Sequence, residues 1–227
     1  MKIAILLESN YSGGGSFTHQ VTTASEMIKY LGKSNEITIY THLPGNLKIL
    51  HNLQIPTILF KNKIYDKILI KLSVYKFFRI ILKLLNCQIN IEKILLNNKT
   101  DIIFFPSASN TIYALNKINF IFHLLDLEHW KHSIYPEITK KEFIYREKLY
   151  FYSLKKSLLN ITNHKLIKKQ IINHYKTNAK KINVIPYATQ KNFFKKNTNK
   201  QIFFNKKYKK LKDYFFYPAQ IWGHKNH

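Results

Sequence analysis

The chain has 227 residues and a formal net charge of +25, from 37 basic and 12 acidic residues. Hydrophobic residues make up 45% of it and aromatic residues 15%, which excludes a mainly disordered chain despite the charge. Only Arg79 and Arg146 are arginines, and all other basic residues are lysines. Because specific nucleic-acid recognition relies heavily on arginine, this composition favours a general positive surface that attracts anionic lipids, sugar nucleotides and nucleic acid alike.

The sequence has the features of a cytoplasmic protein, soluble or peripheral at the inner face of the cell membrane. Its apolar start ends at Glu8, which is too short for a signal-peptide core. No run reaches the roughly 18 apolar residues that a spanning helix needs. Cys87 is the single cysteine, so it cannot form an internal disulfide and is expected to pack as a small hydrophobe.

Short apolar runs alternate with longer helical patterns along the chain. The predicted strands cover residues 2–7, 37–40, 57–60, 102–105, 118–125, 158–162 and 182–185. A helix is predicted over residues 17–31, ending at Gly32, and helical segments lie between most of the other strands. This alternation predicts an α/β fold with a Rossmann-like parallel sheet and helices on both faces.

Ligands of such sheets bind outside the carboxyl ends of the strands, so the loops there are the first places to look for a site. These loops are residues 8–16, 106–111, 123–137 and 186–192.

A glycine loop follows the first predicted strand. Gly13, Gly14 and Gly15 allow backbone N–H groups to approach a ligand, and the helix that begins near Ser16 adds the positive end of its dipole. The spacing is not that of a dinucleotide-binding or P-loop motif. Two interpretations stay open here: a site for an anion such as a diphosphate, and a plain tight turn with Ser16 as the helix N-cap.

The densest polar stretch, residues 123–132, follows the fifth predicted strand. His123, Asp126 and His129 recur in it at every third position. A histidine and an aspartate at a strand end can form a general-base pair, and solvated histidines in a polar loop are the alternative. A metal site is disfavoured because no cysteine or second carboxylate cluster accompanies the histidines.

Arg146 lies on the helix predicted after this polar stretch. As one of only two arginines, it is a candidate to bind a carboxylate or an anionic ligand. The alternative is a surface ion pair with Glu142, four residues earlier on the same helix.

Residues 63–85 form a basic amphipathic segment. Ile64, Ile68 and Leu72 share one broad apolar face, and lysines occupy the other face. A helix of this type can lie in a membrane interface, drawn by anionic lipids, or cover the sheet with a lysine-rich outer face. The two interpretations are not exclusive.

Taken together, these residues resemble the nucleotide-sugar glycosyltransferases of the GT-B fold, in particular family 4, also called group 1. The segments that carry the resemblance are residues 1–15, 126–129, 135–137, 146–147, 162–164, 174–175, 182–187 and 214–227. The resemblance implies two facing Rossmann-like domains, the first with the acceptor site and the second with the nucleotide-sugar site. It also implies transfer that retains the anomeric configuration and requires no metal or other cofactor.

The resemblance further implies roles for individual residues. Asp126 and His129 would be catalytic, orienting the acceptor hydroxyl or helping to take its proton. The residues that would bind the donor diphosphate are Gly13, Gly14, Gly15 and Lys225, and Lys225 would neutralise it as the leaving group. The residues that would bind the acceptor are His123, Glu137 and Arg146. Many family members have a histidine next to the aspartate, whereas His123 precedes Asp126 by three positions.

The resemblance divides the chain into three segments. Residues 1–191 form the acceptor-side domain, residues 192–212 a Lys/Asn-rich linker, and residues 213–227 the first strand and loop of a truncated donor-binding domain. The family's donor domain continues well past this length. The isolated chain is therefore expected to have weak or no transferase activity, and a complementary donor-domain polypeptide is an expected partner.

The function predicted from the sequence is sugar transfer from a nucleotide sugar to a saccharide or lipid-linked acceptor, with peripheral membrane contact and no specific nucleic-acid partner. The alternative is a basic binding module for anionic membrane or nucleic acid without catalysis. A nucleotide-sugar epimerase or dehydrogenase is disfavoured because the dinucleotide-binding glycine pattern is missing.

Overall fold

The computed structural model describes residues 1–131, 134–135 and 138–187. Seven parallel strands form one sheet in this part of the chain, in the order β3-β2-β1-β4-β5-β6-β7. The strands are β1 (Lys2–Leu6), β2 (Glu36–Thr41), β3 (Thr57–Leu59), β4 (Ile102–Phe105), β5 (Asn119–Leu124), β6 (Leu159–Thr162) and β7 (Ile182–Val184). Every predicted strand is present, and the predicted Rossmann-like α/β class is confirmed.

The strand sequences are mainly apolar because helices cover both faces of the sheet. In β1, Ile3 and Ile5 belong to one buried cluster and Ala4 and Leu6 to the other. All four residues of β4 are buried. A continuous apolar run without polar alternation is the expected signature of such a central parallel strand.

Seven α-helices surround the sheet in the described part of the chain. They are α1 (Gly15–Leu31), α2 (Pro44–Asn52), α3 (Ile64–Ser73), α4 (Lys76–Leu84), α5 (Asn90–Asn97), α6 (Lys140–Lys156) and α7 (Lys165–Tyr175). Helices α1 and α2 pack on one face, whereas α3, α5, α6 and α7 contribute to the cluster on the other. Helix α4 buries none of its residues.

The basic amphipathic segment, predicted as one helical pattern over residues 63–85, consists of two helices. Helix α3 ends at Ser73, and the backbone of Tyr75 is extended (φ −88°, ψ 124°) before α4 begins. The side chain of Arg79 then reaches back and its Nη1 donates a hydrogen bond to the Ser73 carbonyl oxygen at 3.0 Å. The break therefore turns α4 against the end of α3.

The strand order creates a crevice at one point of the sheet. The chain moves outward from β1 to β2 and β3, then returns to place β4 on the other side of β1. The loops that leave β1 and β4 consequently run to opposite sides, and a ligand site is expected where they part.

Several sequence predictions lie outside the described residues. Glu137 and Lys225 are among them, as are the linker of residues 192–212 and the strand expected after it. The three-part division of the chain therefore stays a prediction.

Candidate functional site

A cleft of about 470 Å³ opens at the carboxyl ends of β1, β4 and β5. Helix α6 forms its far wall. The residues that line it are Ser9, Ser16, Ser107, Ala108, His123, Leu124, Leu125, Asp126, Glu142, Tyr145, Arg146, Leu149 and Tyr150. The cleft thus occupies the crevice that the strand order predicts, and we call it the carboxyl-end cleft.

Gln20 braces the loops on the β1 and β4 side of the carboxyl-end cleft. It lies on α1 and is 1% exposed. Its side-chain Nε2 donates to the Ser9 hydroxyl at 2.8 Å and to the Ser107 hydroxyl at 2.7 Å. The Ser9 and Ser16 hydroxyls are also 2.6 Å apart. One buried amide therefore connects the two loops that part at the crevice.

The glycine loop is anchored by hydrogen bonds on one side and is exposed on the other. The amide of Asn46, which is completely buried on α2, accepts from the Tyr11 N–H at 2.9 Å and donates to the Ser9 carbonyl at 2.9 Å. Gly14 has φ +62°, a conformation that favours glycine, and no atom lies within 4 Å of where a Cβ would stand on Gly14 or Gly15. Gly14 is also the N-cap of α1 and supplies no side-chain hydrogen bond. The loop accordingly presents uncovered backbone at a helix N-terminus.

Asp126 and Arg146 bring opposite charges to the same cleft. Asp126 is half-buried after β5, and its Oδ1 accepts the Glu128 N–H at 3.1 Å. The Arg146 Nε donates to Glu142 at 2.7 Å, so the predicted i,i+4 ion pair is present. Burial opposes the charge of Arg146, but the hydrogen bond to Glu142 and the nearby Asp126 carboxylate outweigh it and raise the pKa of Arg146. The guanidinium therefore stays charged and is fixed in direction by Glu142.

His123 lies at the end of β5 and is 4% exposed. Neither of its ring nitrogens has a hydrogen-bond partner in the protein. Burial, with a smaller contribution from His19, lowers the pKa of His123 to about 3. At neutral pH it is an uncharged imidazole beside the cleft, which suits hydrogen bonding to a hydroxyl better than binding an anion.

A second, mainly apolar cavity of about 260 Å³ lies behind His123. It is bordered by α1 and by the chain that follows β7. His19 lines this second cavity, and its ring centroid is 5.2 Å from that of His123 and 5.0 Å from that of Tyr187. Burial lowers the pKa of His19 as well, against an opposing hydrogen bond to the Pro106 carbonyl.

His129 does not line the carboxyl-end cleft. Its side chain is fully buried, and its Nε2 is 2.6 Å from the Glu147 carboxylate. Burial lowers the pKa of His129 more than Glu147 raises it, so the ring is neutral and donates this hydrogen bond. The catalytic role predicted for His129 is not favoured by this position, since the side chain contacts the interior and not the cleft.

Glu147 is the centre of a polar cluster that the sequence did not reveal. Besides His129, its carboxylate accepts hydrogen bonds from Trp130 at 2.9 Å, His174 at 2.9 Å and Tyr175 at 2.5 Å. Burial alone would raise its pKa, but the four hydrogen bonds outweigh burial and lower the pKa of Glu147 to about 2. We call these five side chains the Glu147 cluster; it joins α6 and α7 to the turn after β5.

The structure therefore brings together part of the predicted site. Asp126, Arg146 and His123 line one cleft with Ser16, next to the glycine loop. Gln20 was missed, although a signal existed: it occupies the same face of α1 as the buried Phe17 and Ala24. No group of three or more side chains able to hold a metal lies within the described ranges.

Comparison with solved structures identifies the fold. A glycosyltransferase from Rickettsia africae ESF-5 superimposes with a TM-score of 0.52 at 14% identity, over 93% of this chain and 50% of that one. A protein described as a putative UDP-N-acetylglucosamine 2-epimerase from Listeria monocytogenes gives a TM-score of 0.51 at 12% identity, over 80% and 44%. The chain thus spans about half the length of each. At this level of identity the likeness shows the fold alone.

No protein-family model matches the sequence, and no curated protein sequence matches it significantly. The helices of the described part of the chain include none with the length and apolarity to cross a bilayer. The resemblance to family 4 in particular stays a prediction. The chain has a Rossmann-like fold, and this fold matches about half of a GT-B glycosyltransferase-like fold.

Proposed function

We propose that the chain is the acceptor-side part of a glycosyltransferase that moves a sugar from a nucleotide-sugar donor to a saccharide or lipid-linked acceptor, with retention of the anomeric configuration. The observation that carries this proposal is the carboxyl-end cleft, in which Asp126, Arg146 and His123 meet beside the glycine loop. In this proposal the nucleotide sugar lies between the cleft and a donor-binding domain.

The chemistry assigned to the cleft is the activation of an acceptor hydroxyl. The acceptor oxygen forms a bond to the anomeric carbon while the bond from that carbon to the diphosphate oxygen breaks. The Asp126 carboxylate accepts the hydrogen bond from this hydroxyl and then its proton. Since the Glu128 N–H holds one oxygen of Asp126, the carboxylate is fixed before the acceptor binds.

The other cleft residues bind and orient. The charged Arg146, directed by Glu142, hydrogen-bonds polar groups of the acceptor, and the neutral His123 contacts a further hydroxyl. Gly13, Gly14 and Gly15 offer backbone N–H groups at the start of α1 to the donor diphosphate. Lys225 and Glu137 keep their predicted roles in diphosphate and acceptor binding as part of the same proposal.

The first experiment compares Asp126→Asn with the wild-type chain. Sugar-labelled UDP-, GDP- and dTDP-sugars are supplied with a panel of saccharide and lipid-linked acceptors, with and without a donor-domain polypeptide. We expect the labelled sugar on the acceptor, and a rate about 100-fold lower for Asp126→Asn. Glu36→Gln is the matched control, because Glu36 is an exposed carboxylate at the amino end of β2, on the opposite side of the sheet from the carboxyl-end cleft.

Three results would contradict the proposal. They are equal rates for Asp126→Asn and the wild type, release of a free or epimerised sugar instead of an acceptor product, and failure of the chain to bind any donor or acceptor in saturation-transfer NMR. The second of these would favour epimerase chemistry on the same fold.

A further inference from the structure

We propose that helix α4, with the adjoining end of α3, docks onto an anionic membrane surface and lies in its interface. This inference goes beyond sugar transfer and does not rest on it. It concerns the side of the molecule formed by residues 64–85, which we call the α3–α4 surface.

The first observation is a stripe of exposed apolar side chains on α4. Phe77, Ile80 and Leu84 are 69%, 51% and 80% exposed. Their spacing of three and four residues places them along one side of the helix. Because α4 buries none of its nine residues, this side of the helix is not packed against the described part of the chain. A contiguous exposed apolar patch of this kind marks a site of interaction.

The second observation is that α4 is fastened to the protein from its other side. The Arg79 guanidinium lies 4.0 Å from the centre of the Tyr152 ring and 5.5 Å from that of Tyr113. At about 100° per residue, Arg79 lies nearly opposite Phe77 and Leu84 on the helix. Arg79 therefore contacts the rest of the protein from the side of α4 that lies opposite the apolar stripe, and the stripe faces away from these contacts.

The third observation is the charge beside the stripe, which identifies the partner. Lys76 and Lys83 are exposed on α4, and Lys67 and Lys71 are exposed on α3. Lysines next to an apolar face are the pattern of an interfacial helix, since the stems lie along the acyl boundary and the ammonium groups meet lipid phosphates. A second copy of the chain is a poorer partner, because each copy would bring the same positive charges to the contact.

The α3–α4 surface adjoins the carboxyl-end cleft. A cavity of about 550 Å³ is lined by Lys67, Ile70 and Lys71 of α3 and also by Ala108 and Tyr145, which line the cleft itself. Docking of α3 and α4 would therefore bring the mouth of the cleft close to the lipid surface. This placement suits a lipid-linked acceptor among the two acceptor classes proposed above.

The experiment measures binding of the 227-residue chain to vesicles of phosphatidylcholine with phosphatidylglycerol and to vesicles of phosphatidylcholine alone. The test variant is Phe77→Ser/Leu84→Ser, which leaves every charge in place. We expect binding to the anionic vesicles to fall at least about tenfold in this variant, because two apolar side chains no longer insert. Phe151→Ser/Leu166→Ser is the matched control, since these side chains are 55% and 57% exposed on other helices.

A second readout reports insertion directly. In Phe77→Trp, the new indole is expected to be quenched by brominated lipids in anionic vesicles, whereas the new indole in Leu166→Trp is not. Circular dichroism of all variants checks that they fold, which is expected because the substituted side chains are exposed. No sugar is needed, so loss of the proposed transferase function and loss of this surface are distinguishable.

Several outcomes would overturn the inference. No loss in the test pair would mean that the net positive charge alone attracts the vesicles, and equal loss in the test and control pairs would mean that the stripe on α4 is not the site of insertion. Equal binding to neutral and anionic vesicles would exclude the lysines from the contact. A wild-type dimer that Phe77→Ser/Leu84→Ser dissociates, with vesicle binding unchanged, would assign the stripe to a second copy of the chain.

Discussion

The same short stretches of sequence contribute residues to two different regions, the carboxyl-end cleft and the Glu147 cluster. Asp126 and His129 are three residues apart after β5, yet Asp126 lines the carboxyl-end cleft and His129 is fully buried in the Glu147 cluster. Arg146 and Glu147 are adjacent on α6, yet Arg146 lines the carboxyl-end cleft and Glu147 belongs to the Glu147 cluster. Consecutive helix residues point about 100° apart, so one faces the cleft and the next faces the interior.

This difference assigns the Glu147 cluster to stability and the carboxyl-end cleft to ligand binding, although both lie in the same part of the fold. On the cleft side, Asp126 and Arg146 are partly exposed, and their interactions are within reach of a ligand. The cluster residues share a carboxylate that is 22% exposed and has four donors around it. Removal of Glu147 leaves the buried His129 and Tyr175 without this acceptor, whereas removal of Arg146 leaves groups that water can reach. Substitutions in the two regions should therefore change different measured quantities.

The largest expected effect on stability comes from Glu147→Gln. An amide cannot accept from all four donors, and its own NH₂ faces them, so we expect the free energy of unfolding to fall by about 3 kcal/mol. Urea unfolding at neutral pH measures this. A loss below about 0.5 kcal/mol would mean that the Glu147 cluster does not hold α6 and α7 to the sheet.

The same variant has a defined pH signature. The pKa of Glu147 is lowered from 4.5 to about 2 in the folded protein. Its contribution to stability is present above pH 4.5 and is lost as the pH falls towards 2, because the unfolded chain binds the proton first. Glu147→Gln should remove this part of the acid dependence, while Glu36→Gln, on an exposed carboxylate, should keep it.

The sequence predicts the sheet well and the cluster poorly, for physical reasons. Most strands are short, mainly apolar runs, and Pro106 and Pro186 follow two of them, so their burial can be predicted from local composition. The cluster depends on contacts between distant positions: Glu147 is 18 residues from His129 and 28 from Tyr175. A sequence shows that these residues are polar, but it does not show that they converge.

The sequence predicts the candidate site less completely than the sheet and more completely than the Glu147 cluster. The strand order places the loops that contain Asp126 and Gly14 at one edge, so the cleft could be located before its geometry was known. The three-residue spacing of His123, Asp126 and His129 did not reveal that His129 turns inward, because the turn after β5 is not a regular α-helix. Likewise, the break at Tyr75 was not predicted, since the amphipathic pattern runs through it without a glycine or proline.

An intermediate effect on stability is expected for His123→Phe. This variant tests a residue that lines the cleft but is itself buried. His123 is a neutral imidazole with unpaired ring nitrogens, and Phe104 and Tyr187 already surround it with aromatic rings. Its pKa is lowered from 6.5 to about 3. The unfolded chain therefore binds a proton below pH 6.5 that the folded chain does not, and stability falls as the pH falls through this window.

His123→Phe should make that fall less steep, by up to about 1.4 kcal/mol per pH unit, and should not lower stability at pH 7. Thermal and urea unfolding between pH 7 and pH 4 measures the slope for the variant and the wild type. The control is Leu166→Phe, which adds an aromatic ring at an exposed position and leaves every titratable group in place. An unchanged slope in His123→Phe would place the His123 ring in contact with solvent.

The smallest expected effect on stability comes from Arg146→Gln, the direct counterpart of Glu147→Gln. The pair of Arg146 with Glu142 is an i,i+4 contact between side chains that are 34% and 40% exposed, so its loss should cost about 0.5 kcal/mol or less. Acceptor binding should nevertheless weaken by about tenfold, because a fixed charged donor leaves the carboxyl-end cleft. Arg146→Lys separates charge from shape: if it restores binding, the cleft needs only a cation, and if it does not, the planar guanidinium directed by Glu142 is required. A loss of stability in Arg146→Gln as large as in Glu147→Gln would contradict the division of α6 into a cleft side and an interior side.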